Sequence, residues 1–141
     1  MIEHHGKISS FADPADVKSF LKWKAIYMDE GFTENQAIKK TFAKGDNGVG
    51  CYGDDTTEGS GLSCAVPPED MIERWGSIAG AKHKQVNITI GEISVVAIVK
   101  DRMPRKEKIT NGAVLDANPD TVKALGQQFP MLKQGKWSWV E

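Results

Sequence analysis

The chain has only two cysteines and three histidines among its 141 residues. Two cysteines permit one bridge at most, Cys51 to Cys64, which excludes a small scaffold held together by many disulfides. The residues leave both states of that pair open, bridge or two thiols, because the redox compartment decides between them. So few thiols and imidazoles also make a zinc centre a poor fit, and neither a metal nor a cofactor is expected. The adjacent pair His4-His5 is read as ordinary surface, since neighbouring histidines rarely converge on one ion without further ligands. Neither sign of charge is in excess: 18 Lys and Arg stand against 19 Asp and Glu. A nucleic-acid partner, which calls for a basic face, is not expected. No run approaches the ~20 apolar residues that span a bilayer, so no membrane span is expected either. The opening Met1-Ile2-Glu3-His4-His5 lacks the charged head and apolar body of a secretory signal. A protein of this sequence working outside the cytoplasm would need another export machine, lysis, or a signal already lost.

What is present suits one globular domain: ordinary length, and 40% hydrophobic residues. Asp13-Pro14-Ala15-Asp16 reads as a helix start, with Asp13 as cap and Pro14 in the first turn. Val17, Phe20, Leu21 and Met28 follow at helical spacing, and Gly31 ends the run. Thr33-Glu34-Asn35-Gln36 is a capping box for a second helix, with Phe32 as its staple residue. Ala37, Ile38, Thr41 and Phe42 carry that helix's inner face and Gly45 closes it. Residues 1–45 are therefore expected to hold a helical hairpin packed on the rest. Residues 46–141 read as a β domain. Met1 to Phe11 is too short to classify. The Gly- and acid-rich segment from Asp46 to Gly61 lacks the acid alternation of a calcium loop. It reads as a short strand near Val49–Tyr52 and a loop.

The later strands are clearer. Ser63 to Val66 is a candidate strand broken by Pro67-Pro68, and Glu69 to Trp75 reads as a short helix closed by Gly76. Val86, Ile88 and Ile90 alternate with polar residues, and Gly91-Glu92 is a hairpin turn. Ile93 to Val99 is a near-continuous β-branched run, expected to be a strand buried on both faces. It ends at Lys100-Asp101-Arg102, and Met103-Pro104 stops it. A second apolar run, Ala113 to Leu115, meets Asp116; Asn118-Pro119 then caps a short helix ended by Gly126. Lys136 to Val140 reads as the closing strand. Asp101 and Asp116 thus each sit at a strand end, where a rigid scaffold can hold an acid at the edge of water.

The ordered stretch Val99-Lys100-Asp101-Arg102-Met103-Pro104, then Val114-Leu115-Asp116-Ala117-Asn118, then Val122 and Leu125-Gly126, resembles the double-psi β-barrel of expansins, barwin-like proteins and rare lipoprotein A-like lytic transglycosylases. Gly50-Cys51-Tyr52-Gly53 resembles the family's opening strand. Met103 stands where the family carries Gly. The resemblance implies a mainly β fold: a six-stranded double-psi β-barrel, here with an N-terminal helical hairpin and short inserted helices, α+β overall. It also implies a protein that acts on cell-wall glycan. A lytic transglycosylase needs one carboxyl group, acting as acid and then as base, because the sugar's own hydroxyl attacks. Asp116 matches the family's acid, and Asp101 would hold the geometry or raise the pKa of Asp116 by like-charge repulsion. Tyr52, Asp54 and Arg102 are candidate substrate contacts, as is Trp137, since sugar C–H faces stack on aromatic rings. Expansins keep this barrel without hydrolysing their polymer, so a glycan-binding module is the alternative. A third reading is a phage or secretion-associated structural protein that docks a protein partner through the N-terminal helices.

Overall fold

The computed structural model of the chain describes residues 2–41 and 47–141. Six strands close into a mixed barrel: β1 (His4–Ser10), β2 (Ser63–Val66), β3 (Gln85–Ile90), β4 (Ile93–Arg102), β5 (Ala113–Ala117) and β6 (Leu132–Trp139). Their order around the barrel is β1-β5-β2-β4-β3-β6. β1 runs parallel to β5 and β2 parallel to β4; the other four pairings are antiparallel. Closure leaves no edge strand open for unwanted pairing. Among the described residues four α-helices decorate it: α1 (Pro14–Asp29), α2 (Glu34–Thr41), α3 (Pro68–Trp75) and α4 (Pro119–Ala124). The fold is mainly β with α+β character, as the strand and helix signals predict.

The barrel is filled by Ile8, Val66, Ile88, Val99, Leu115 and Trp137, none more than 1% exposed. Each such side chain contributes about 1.5–3 kcal/mol by leaving water. β6 crosses close to this core at Gly135: a Cβ there would lie 2.6 Å from the Thr89 carbonyl and 2.8 Å from Ile8 Cγ1. No side chain fits that crossing.

The local punctuation acts as the residues predict. The Asp13 carboxylate accepts the Ala15 N–H and starts α1. Thr33 and Gln36 form the reciprocal capping box of α2. Asn118 accepts the Thr121 N–H at the start of α4. The expected contributions of Phe42 and Gly45 to α2 lie outside the described residues. α1 packs on α2, and its Val17 meets the loop at Gly48.

Three expectations are corrected. The first barrel strand is His4–Ser10, in the segment the sequence left unclassified, so α1 and α2 are inserted between β1 and β2. A boundary after residue 45 therefore separates β1 from the strands it pairs with. The expected strand at Val49–Tyr52 is instead a turn held by one isolated bridge, Val49 to Asp55. The β-branched run in β4 is not buried on both faces: Ile93 and Val96 are exposed, while Ala97 and Val99 enter the core.

Candidate functional site

The strand register brings the two aspartates into one row. Ala65 of β2 lies opposite Asp101 of β4 on one side and Asp116 of β5 on the other. Asp116 in turn lies opposite Ser9 of β1. Cross-strand partners share a face, so Asp101, Ala65, Asp116 and Ser9 line up across four adjacent strands. With neighbouring strands ~4.8 Å apart, the two aspartate backbones are separated by about 10 Å.

The surroundings of this row are dry. Ala65, Met103 and Ala113 form a small buried cluster, with Phe11 and Ile109 packed against it. Asp116 is only partly exposed. Burial, and secondarily the charge of Asp101, push its carboxyl up to about 7, while a hydrogen bond with Ser9 pulls the other way. An acid near 7 is poised to give and to take a proton at neutral pH. The buried position of Met103 explains why a bulky side chain is accommodated where the resembled family has Gly: it fills this cluster.

Asp101 is held differently. Its carboxylate accepts the Cys51 N–H at 3.0 Å and the Arg102 N–H at 2.8 Å. The Cys51 loop can reach it because residue 50 is Gly; a Cβ there would sit 1.9 Å from the Lys100 carbonyl oxygen. Cys51 and Cys64 are free thiols, one exposed and one buried. Burial raises both, Cys64 far more. Neither is an activated nucleophile.

Behind Asp116 stands a residue that sequence reasoning treated only as a helix cap. The fully buried Asn118 side chain accepts from the Ser63 N–H, the Thr121 N–H and the Thr121 hydroxyl, and donates to the Thr56 and Gly61 carbonyls. It locks β2, α4 and the preceding loop behind the acid.

The barrel is similar to that of the Streptomyces papain inhibitor. The TM-score is 0.52 and the sequence identity 13%, over 99% of this chain and 96% of that one. At identity so low, the likeness shows the fold alone. No protein-family model matches the chain, and no curated protein matches it.

The other predicted contacts divide. Arg102 is exposed and lines a groove of about 450 Å3 next to the row. Asp54 is engaged with His83, Oδ2 to Nε2 at 2.7 Å. The Tyr52 hydroxyl donates to the Ile78 carbonyl, and its pKa is pushed to about 12 by burial and then by Cys51 and Asp101. It is a wedge between loop and barrel rather than a free donor. Trp137 is corrected outright as a stacking platform: it is 1% exposed, stacks on His4 at 4.2 Å, and donates its indole N–H to the Val114 carbonyl. Period-two alternation in β6 left the choice of inward tryptophan open; both Trp137 and Trp139 are buried. Ser9 and Ala65 were missed because small and polar residues carry no periodic signal. Among the described residues no cluster of three metal-ligating side chains occurs, and no helix is long and apolar enough to cross a membrane.

Proposed function

We propose that the chain is a double-psi β-barrel that cleaves a cell-wall glycan as a lytic transglycosylase, with Asp116 as its single acid and base. The carrying observation is Asp116 itself: a strand-end carboxyl in a dry row, raised to about 7, with Asp101 two strands away. The two parallel pairings, β1 with β5 and β2 with β4, support the double-psi assignment. Protonated Asp116 gives its proton to the glycosidic oxygen as the bond from the anomeric carbon to that oxygen breaks. The resulting carboxylate takes the proton of the same sugar's 6-hydroxyl, whose oxygen closes on the anomeric carbon to form an anhydro ring. No water is consumed, so a second carboxylate placed to activate water is not required. Burial chiefly keeps the pKa of Asp116 high, and Asp101, held by two backbone amides, adds its charge to that effect.

The test is digestion of purified peptidoglycan followed by mass analysis. Wild type is expected to release anhydro-muropeptides, and Asp116→Asn to release none while keeping its near-UV spectrum. Products with reducing ends would mean hydrolysis and overturn the mechanism. A second reading, a non-catalytic glycan-binding barrel, is favoured by the use of Asp101 as a loop cap. Wall binding that survives Asp116→Asn, with no soluble product from either protein, would select it.

A further inference from the structure

Beside the aspartate row, α3 and the segment that follows β4 enclose the groove of about 450 Å3. Its walls are aliphatic: Pro68, Ile72, Ile78 and Pro104, with Ile72 half-exposed. Among its described lining residues none offers an aromatic face on which a sugar ring could stack. Two arginines, Arg102 and Arg105, also line it, and among the described residues neither forms an ion pair. Among its described lining residues the one carboxylate, Glu69, accepts the Lys106 N–H at 3.0 Å. Two planar guanidiniums over an aliphatic floor fit a short peptide that carries a carboxylate. A neutral sugar chain would leave both charges without a counter-charge.

The groove meets the buried cluster around Ala65 at Met103. Arg102 follows Asp101 and gives it an N–H; Met103 lines the groove and also belongs to the cluster around Ala65. A ligand lying over Asp116 can therefore send a branch into the groove. We propose that this groove binds the carboxylate-bearing peptide branch of the wall glycan, so that the protein prefers peptide-substituted strands to bare ones. The choice of polymer rests on the glycan reading above; the choice of a carboxylate-bearing peptide rests on the groove alone.

The full chain, labelled with nitrogen-15, is titrated with three probes: a muramyl tetrapeptide disaccharide, the free tetrapeptide, and a peptide-free chitin-type oligosaccharide. The peptide-bearing probe is expected to bind at least tenfold more tightly than the peptide-free one. Arg102→Gln with Arg105→Gln is expected to erase that difference while leaving the near-UV spectrum unchanged. The free tetrapeptide is expected to shift the amides of Ile72, Ile78 and Arg105 but not that of Asp116. If the tetrapeptide shifts the groove and neither sugar probe shifts residues around Asp116, the groove assignment stands and the glycan reading fails. Equal affinity for bare and substituted probes would overturn the groove proposal and leave the glycan reading intact. A preference that survives the double arginine substitution, or groove amides that no probe moves, would also overturn it.

Discussion

Asp116 sets the pH behaviour of the fold as well as its chemistry. Its carboxyl titrates near 4 when the chain is unfolded and near 7 when folded. The folded state therefore holds this proton more tightly than the unfolded state does. Its favourable contribution is complete below about pH 4 and is lost as pH rises through 7, by an amount on the order of a few kcal/mol. Asp116→Asn is expected to match wild type in denaturant midpoint at pH 4 and to exceed it at pH 8. A gap that is constant with pH would mean that Asp116 is not desolvated. Asn118 makes the second prediction at this scale. Asn118→Ala strips partners from buried groups of Ser63, Thr121 and Thr56, and from the Gly61 carbonyl. A loss of about 2–4 kcal/mol in chemical denaturation is expected, since each unsatisfied buried polar group costs about 1–3 kcal/mol. A loss below about 1 kcal/mol would mean that water replaces the amide.

Among the elements, β1 carries the most weight for its length. It is the shared neighbour of β5 and β6, and Ile8 is fully buried. A chain that begins at residue 46 would leave both of those strands unpaired along one side and the core open. It is expected to show no cooperative thermal transition in calorimetry, whereas a sharp transition would show that six strands are not needed. This element was illegible because its sequence, HHGKISS, has one buried apolar residue and no alternation; pairing on two sides makes it a strand. By contrast β3 alternates with buried Val86, Ile88 and Ile90, and α4 carries its cap, proline and terminal glycine in order. Both were legible because the signal lies within a few residues.

At the scale of the whole molecule, the barrel closes through partners distant in the chain: Lys7 meets Ala113 and His4 meets Trp137. Closing such loops costs entropy before contacts offset it, so folding in milliseconds to seconds is expected. Stopped-flow refolding checks this; completion within microseconds would mean that closure is not limiting. The same distances divide what could be read from what could not. The sequence by itself determined where the helices start, the strands β2 to β5, and two aspartates near strand ends, because caps, turns and alternation act between near neighbours; β6 begins earlier, at Leu132, than the Lys136 that the alternation marked. Only the tertiary structure decided that β1 completes the barrel, that Trp137 turns inward, and that Asp101 and Asp116 flank Ala65 in one dry row. Those outcomes depend on register between strands far apart in the chain, and no local pattern encodes which residue will stand opposite which.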